Sequence, residues 1–117
     1  MHNFKELLVW QKSRELVKEI YLVTEKFPKE EQFGLISQLR RAAISIPSNI
    51  AEGCGRRTNK DTKRFIEIAQ GSSFEVETQL ILAYDLGFIS KKESLIIWKQ
   101  TEEVQKMIRG FGQSLDS

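Results

Sequence analysis

The stretch from Gln38 to Gly53, QLRRAAISIPSNIAEG, decides the fold of this 117-residue chain. Its apolar positions recur at spacings of three and four residues, which predicts an amphipathic helix. Pro47 lies inside that pattern, lacks an amide donor and crowds the carbonyl of Ala43. We therefore expect one helix kinked at Pro47, with two short helices joined at residues 45–48 as the alternative.

A first helix precedes that stretch. Asn3 and Glu6 have the spacing of a capping box, so we expect the helix to start there. Pro28 ends it, because the residue before a proline is pushed away from helical dihedral angles. The second helix is predicted to begin between Glu30 and Gly34. The apolar positions of the first helix are Val9, Leu16, Ile20, Val23 and Phe27.

Two more helices follow the central stretch. Thr58 precedes Asp61, and Ser90 precedes Glu93, by the three residues that a capping box requires, which predicts the starts of a third and a fourth helix. Residues 113–117 are expected to fray. Long amphipathic helices with short connections favour antiparallel packing. The predicted fold is therefore all-α: an antiparallel up-down-up-down four-helix bundle whose second helix is kinked at its proline.

The composition restricts the class of protein. With 117 residues, 40% of them hydrophobic, the chain can bury one core, so residues 1–117 are predicted to form a single domain. Because the formal net charge is only +2, attraction to nucleic acid must come from local clustering of cations. Cys54 is the only cysteine, which excludes an internal disulfide and favours a reducing compartment, the cytoplasm. No apolar stretch has the length of a membrane span, so we expect no membrane association.

The chain lacks residues that common enzyme sites need. Its only histidine, His2, lies at an end that we expect to be disordered, which argues against a histidine-based nucleophile system and a di-metal site of the bundle type. No catalytic residue, metal site or cofactor is therefore predicted. Arg56 and Arg57 can lower the pKa of a nearby Cys54 thiol, but without a histidine base we favour a packed, inert cysteine.

A polar strip follows one face of the second helix. Short Ser and Asn side chains flanked by apolar residues favour a semi-buried hydrogen-bonded network between helices, in which Arg41 pairs with Glu75 or Glu77. The alternative is a ligand site on the same face. The strip consists of Gln38, Arg41, Ser45, Asn49 and Glu52.

A cluster of cations follows the second helix. It is opposed only by Asp61, and in a compact patch it can neutralise several phosphates without reading a base sequence. The alternative is an ordinary solvated helix end. The cluster consists of Arg56, Arg57, Lys60, Lys63 and Arg64.

Several motifs resemble those of a known family. They are LVWQK at residues 8–12, FPKEE at 27–31, QLRRAA at 38–43, the central signature SIPSNIAEG at 45–53, and AQGS at 69–72 followed by Glu75. Together they are similar to the four-helix proteins encoded in intervening sequences of bacterial 23S rRNA genes. The resemblance covers nearly the whole chain.

The resemblance implies a ring-like homo-oligomer, with a pentamer expected, and kinship with accessory proteins of diversity-generating retroelements. Those relatives use basic surface to bind nucleic acid and a reverse transcriptase. The partners implied here are RNA or DNA and a protein such as a reverse transcriptase. The residues implicated are Arg40, Arg41, Arg56, Arg57, Lys60, Lys63 and Arg64, although Arg41 also belongs to the polar strip.

Two functions stay open at this point. The first is a non-enzymatic oligomeric scaffold that contacts RNA or DNA through the basic cluster. The second is a protein–protein interaction module without nucleic-acid binding, which would use the polar strip and exposed aromatic residues such as Trp10 or Phe88.

Overall fold

The computed structural model describes residues 2–116. Helices make up most of this range and no strand occurs within it, which confirms the predicted all-α class. The four main helices are α1 (Leu8–Thr24), α2 (Ser37–Cys54), α3 (Asn59–Asp85) and α4 (Lys91–Ser114).

The start of α1 differs from the prediction. Asn3 makes no capping bond with its side chain, and Phe4–Glu6 form a separate 3-10 turn before the helix. The ring of Phe4 packs edge-on against Trp10 with centroids 5.2 Å apart, and the Gln11 side chain donates to a carbonyl of that turn at 2.9 Å. The prediction of a cap at Asn3 is wrong, because the packing of this turn places the first residue of α1 at Leu8.

The connection from α1 to α2 is longer than predicted. After Pro28, Lys29–Glu31 form a 3-10 turn and Gln32–Ile36 form a π-type turn. Gly34 departs from helical geometry, with φ −110° and ψ −114°. This break lies inside the second turn, and α2 begins three residues later at Ser37, beyond the range predicted for its start.

α2 runs unbroken with Pro47 inside it. The alternative of two short helices is therefore wrong, whereas a kink at Pro47 stays a prediction. Packing of the apolar face stabilises a helix more than its intrinsic propensity does, which lets α2 accommodate the missing amide donor. The buried residues of α2 are Leu39, Ala42, Ala43, Ile46, Ile50, Gly53 and Cys54.

The capping residues of α3 and α4 are confirmed. Thr58 Oγ1 accepts from the Asp61 amide at 3.1 Å, and Ser90 Oγ accepts from the Glu93 amide at 3.1 Å. Between the two helices, Gly87 has φ 77°, a left-handed conformation that glycine adopts without the steric cost of a Cβ. That conformation ends α3 and turns the chain toward α4.

Each helix packs mainly on two neighbours: α2 contacts α1 and α3, and α4 contacts α3 and α1. The contacts of α1 with α4 occur in opposite chain order, since Lys12 lies 3.7 Å from Glu103 while Lys26 lies 2.7 Å from Glu93. This is the order that antiparallel neighbours give. Side chains from all four helices form one buried core, and burial of each large aliphatic residue contributes roughly 1.5–3 kcal/mol.

The bundle is elongated, measuring 44 × 24 × 20 Å. The α2–α3 connection and the end of α4 lie together, because Lys63 pairs with Asp116. In the part of the chain that the structure describes, no helix combines the length and the apolar character needed to cross a bilayer.

A candidate nucleic-acid interface at the α2–α3 connection

The connection between α2 and α3 is short and tightly packed. α2 ends at Cys54 and α3 begins at Asn59, so four residues join them. A Cβ added to Gly53 would lie 3.0 Å from both the Cβ of Phe65 and the carbonyl oxygen of Thr62. Glycine therefore permits the close approach of α2 and α3 at this end.

The predicted cation cluster lies on this connection and on the first turns of α3, and we call it the basic surface. Arg56, Arg57 and Lys60 are exposed, and no ion pair involves them within residues 2–116. Their charge is therefore available to a partner. The basic surface consists of Arg56, Arg57, Lys60, Lys63 and Arg64.

Phe65 organises part of the basic surface. The guanidinium carbons of Arg56 and Arg64 lie 4.5 Å and 5.9 Å from the centre of its ring, where the ring quadrupole attracts cations. Arg64 also lies 3.8 Å from Asp61, within the first turns of α3. Because Asp61 opposes one arginine only loosely, the surface stays net positive.

Residues at both ends of the described range pack against this region, contrary to the expected disorder and fraying. The His2 amide donates to the Cys54 carbonyl at 3.2 Å, and the His2 ring meets Phe111 edge-on at 5.3 Å. Near the other end, Leu115 is buried and Asp116 pairs with Lys63. The predictions for residues 2 and 113–116 are therefore wrong, because both ends contact the bundle; residue 117 lies outside the described range.

Arg40 does not belong to the basic surface. Its guanidinium carbon lies 4.3 Å from the ring centre of Tyr21, and its Nε donates to Thr24 Oγ1 at 2.9 Å. Sixteen residues of mainly helical chain separate it from Arg56, or roughly 24 Å at 1.5 Å per residue. The family resemblance grouped two cationic sites that the bundle keeps apart.

The polar strip of α2 forms a smaller network than predicted. Ser72 Oγ donates to Ser45 Oγ at 2.8 Å, and Asn49 Nδ2 donates to the Oγ and the carbonyl of Ser45 at 2.9 and 2.8 Å. These three residues join α2 to α3. The other predicted members, Gln38, Arg41, Glu52 and Glu75, are exposed and make no side-chain hydrogen bond to this group.

The predicted ion pair from Arg41 to Glu75 or Glu77 is wrong. Arg41 forms no ion pair within residues 2–116, and Glu77 instead accepts a hydrogen bond from Gln105 at 3.0 Å. Water hydrates the exposed Arg41 and Glu75 well, so pairing them gains little free energy.

Sequence reasoning missed a second polar network, between α3 and α4. Gln105 is buried and donates to Glu77, while Gln70 donates to the Gln105 carbonyl at 3.2 Å. Ser73 Oγ donates back to the Gln70 carbonyl at 2.6 Å. The available signal was the position of Gln105 directly after Val104 and three residues before Ile108, on the apolar side of α4.

Cys54 is buried, as the sequence analysis predicted for a packed cysteine. Burial raises the pKa of its thiol, because the interior disfavours the charged thiolate. This favours the neutral thiol over the reactive thiolate. Within residues 2–116, no three His, Cys, Asp or Glu side chains are grouped so that they could hold a metal ion.

Trp10 and Phe88 are only partly exposed, which corrects their assignment as exposed contact residues. Phe88 packs on Phe27 with ring centroids 5.7 Å apart. Among residues 2–116, the exposed phenylalanine and tyrosine side chains are instead Tyr21, Phe33, Phe74 and Tyr84.

The comparisons with known proteins agree with this architecture. A solved structure of a protein of unknown function from the S23 ribosomal protein family of Bacteroides thetaiotaomicron superposes with a TM-score of 0.80. It is 23% identical in sequence, and the match covers 89% of this chain and 97% of that chain, so it shows a shared fold. No curated protein matches the chain.

The sequence itself matches a family model described as 23S rRNA-intervening sequence protein, over residues 5–110. This match spans most of the chain and confirms the resemblance carried by the central signature. The chain therefore belongs to the 23S rRNA-intervening sequence protein family.

Proposed function

We propose that this protein is a non-enzymatic, oligomeric helical scaffold of the cytoplasm that binds RNA or DNA through the basic surface. The observation that carries the proposal is the group of three exposed cations, Arg56, Arg57 and Lys60, without ion-pair partners in the described range. Because the whole chain has a net charge of only +2, this group is a local concentration of charge.

The chemistry of the basic surface suits the nucleic-acid backbone. Each unpaired cation can neutralise a phosphate and release a condensed counterion. Arg56 is already held against Phe65 at 4.5 Å, so it loses less side-chain freedom on binding than a fully mobile arginine. Phosphate contacts position a protein on a nucleic acid without reading the base sequence. We therefore expect salt-sensitive binding with little sequence preference.

Oligomerisation strengthens this proposal. The family resemblance implies a ring, with a pentamer expected, and a ring repeats the basic surface at regular intervals. Several linked copies raise avidity without a new contact in any one copy. A protein partner such as a reverse transcriptase would then bind a scaffold that already holds nucleic acid.

Binding measurements test the nucleic-acid proposal. The affinity of the purified protein for structured RNA and for duplex DNA is measured at low and at moderate salt, with and without the combined substitutions Arg56→Ala, Arg57→Ala and Lys60→Ala. We expect this variant to bind at least about 10-fold more weakly at low salt. Absence of binding to both nucleic acids under all conditions would overturn the proposal.

A matched variant controls for bulk charge. It removes three positive charges from exposed positions near the start of α4, far from the basic surface. We expect its affinity to stay within about twofold of the unmodified protein, since the proposal assigns binding to local and not total charge. An equal loss in both variants would count against the basic surface as the site. The control substitutions are Lys91→Ala, Lys92→Ala and Lys99→Ala.

A second candidate function is a protein-interaction module. It is favoured by apolar side chains left about half exposed near the α3–α4 turn: Leu22 and Ile96 line a groove between α1 and α4, while Ile81 and Leu95 line one between α3 and α4. Exposed apolar surface of this kind is typical of contacts between proteins.

Light scattering over a concentration series, with and without nuclease, separates the two candidate functions. Nuclease-resistant assembly without nucleic-acid binding favours the protein-interaction module. A monomer at every concentration contradicts both assembly models.

A further inference from the structure

A second cationic site lies away from the basic surface, in a groove of about 390 Å³ between α1 and α2. We call it the Phe33 groove. No carboxylate lines it, so every lining side chain is neutral or positively charged. The lining residues are Tyr21, Gln32, Phe33, Ile36, Ser37, Arg40, Arg41 and Ile44.

Phe33 is the most exposed large apolar side chain in the described residues, with 90% of its surface accessible to solvent. Its turn is nevertheless well defined, because the Glu31 carboxylate accepts from the Leu35 amide at 3.1 Å. The break in helical geometry at Gly34 lies inside this turn, three residues before α2. Packing of the bundle gives no reason for an aromatic ring here, since the ring contributes almost no buried area.

Arg40 lines the same groove as Phe33 and is held in place. It donates from Nε to Thr24 Oγ1 at 2.9 Å and from a terminal nitrogen to the Tyr21 carbonyl at 3.5 Å, with its guanidinium over the Tyr21 ring. A guanidinium has five N–H donors, so most of its donors remain available to an anion. Arg41, the next residue, is exposed, and neither arginine forms an ion pair within residues 2–116.

We propose that the Phe33 groove binds single-stranded RNA or DNA, with an unpaired base stacked on Phe33 and the adjoining phosphate held by Arg40 and Arg41. This inference rests on the proposed nucleic-acid function and adds a second site that requires an unpaired base. Stacking on an exposed aromatic ring beside cations is how proteins bind single strands without reading their sequence. A base in a duplex is stacked on its neighbours and cannot use such a ring.

An acidic peptide is the competing occupant. Hydrophobic anchors of peptides and proteins are energetically important when they fill well-packed pockets that exclude water. Phe33 stands out from the surface with 90% of its area exposed, which offers a flat face to a base and no enclosed pocket to a side chain. The structure therefore favours the nucleic acid.

The test compares single-stranded and duplex probes. The fluorescence anisotropy of labelled oligo(dT), oligo(U) and a DNA duplex of the same length is titrated with the unmodified protein and with Phe33→Ala. Since removing a stacking ring weakens binding by roughly 5- to 150-fold per base, we expect such a loss for the single strands and less than about a twofold change for the duplex. Phe33→Trp should restore single-strand binding.

Two further variants complete the comparison. Arg41→Ala should weaken single-strand binding more than duplex binding, because the groove holds the phosphate beside the stacked base. Phe74→Ala is the matched control: this ring is about half exposed on α3 and does not line the groove, so its removal should leave both affinities unchanged.

Each other outcome overturns the inference in a distinguishable way. Duplex binding with no single-strand binding, or single-strand binding unaffected by Phe33→Ala, rejects the groove and leaves the basic surface standing. No binding of any probe rejects both proposals. A lower native mass of Phe33→Ala in light scattering would make the groove a contact between copies of the chain. Binding of a Phe-containing acidic peptide with the same dependence on Phe33 would assign the groove to a protein partner.

Discussion

Gly53 shows how one missing side chain shapes the basic surface. It lies in the last turn of α2, where an added Cβ would approach the Thr62 carbonyl and the Phe65 Cβ at 3.0 Å. Neither neighbour is the flexible end of a long side chain, so the helices themselves would have to move apart. Because Phe65 also lies under Arg56, such a movement would disturb the cations as well as the packing.

We expect Gly53→Ala to lower the free energy of unfolding, because overpacking usually costs about 1–3 kcal/mol. This cost exceeds the roughly 0.5–1 kcal/mol that alanine gains over glycine inside a helix. Gly110→Ala is the control, because a Cβ there meets nothing within 4 Å, and it should raise stability slightly. Denaturant unfolding measures both variants, and equal stabilisation of the two would show that α2 and α3 are not in close contact at Gly53.

Glu93 gives a pH-dependent prediction. The hydrogen bond from Lys26 holds the pKa of the Glu93 carboxyl below its ordinary value. A lowered pKa in the folded state means that the stabilisation is complete above the unfolded pKa and is lost as the pH falls through the folded pKa. This pair is exposed to solvent, so its contribution is at most about 1 kcal/mol.

The substitution Glu93→Gln isolates that charge, because glutamine keeps the capping geometry with Ser90. We expect the variant to be less stable at neutral pH, and its difference from the unmodified protein to disappear in the acid range. Urea unfolding at a series of pH values measures this difference. A difference that stays constant with pH would mean that the carboxylate charge contributes nothing.

The contact between α2 and α3 depends on Ser45, Asn49 and Ser72. Removing the Ser72 hydroxyl should cost about 1 kcal/mol, the net value of a typical hydrogen bond. Ser45→Ala removes the acceptor of the same bond, while Asn49 keeps the Ser45 carbonyl as a partner. In a double-mutant cycle we therefore expect Ser45→Ala and Ser72→Ala to be coupled by at least about 0.5 kcal/mol. Additive effects of the two substitutions would show that the bond does not join the helices energetically.

The elements that the sequence predicted correctly are those set by local chemistry. Thr58 and Ser90 cap their helices because a hydroxyl and an amide three residues apart need no distant partner. Asn3 has the same pattern but fails, since the ring of Phe4 packs on Trp10 and fixes a separate turn. The distinction depends on tertiary contacts, which a capping pattern does not contain.

The same distinction between local chemistry and tertiary contacts applies to the candidate site. The cations of the basic surface lie within residues 56–64, so one loop and one helix start bring them together without help from the rest of the fold. The Phe33 groove forms only where α1 packs beside α2, so the sequence of neither helix alone predicts it. The buried role of Gln105 is similarly hidden, because a glutamine in a helix is usually solvated.

In the whole molecule, the basic surface and the apolar side chains near the α3–α4 turn lie toward opposite ends of the bundle. Lys60 and Ile81 are 21 residues apart on α3, so the basic surface and the apolar side chains near the α3–α4 turn are roughly 30 Å apart along it. Assembly near the α3–α4 turn and phosphate binding by the basic surface can therefore use different ends. The polar networks on both sides of α3 lie between them.

This separation predicts that the two ends respond independently to mutation. Leu95→Asp should lower the native mass measured by light scattering, because a charge is unfavourable in an apolar contact between copies. The variant lacking Arg56, Arg57 and Lys60 should keep the native mass of the unmodified protein. If only the variant lacking Arg56, Arg57 and Lys60 changed in mass, the contact between copies would lie at the basic surface and not near the α3–α4 turn, contrary to this prediction.

The salt dependence of nucleic-acid binding tests the central claim most directly. The logarithm of the association constant for duplex DNA is measured against the logarithm of salt concentration, for the unmodified protein and for the variant with Arg56, Arg57 and Lys60 changed to alanine. Each lost phosphate contact reduces the steepness of that line by about 0.9, so we predict a reduction of up to about 3 per protomer in contact with the duplex. A slope unchanged by the three substitutions would contradict the claim that this surface binds phosphates.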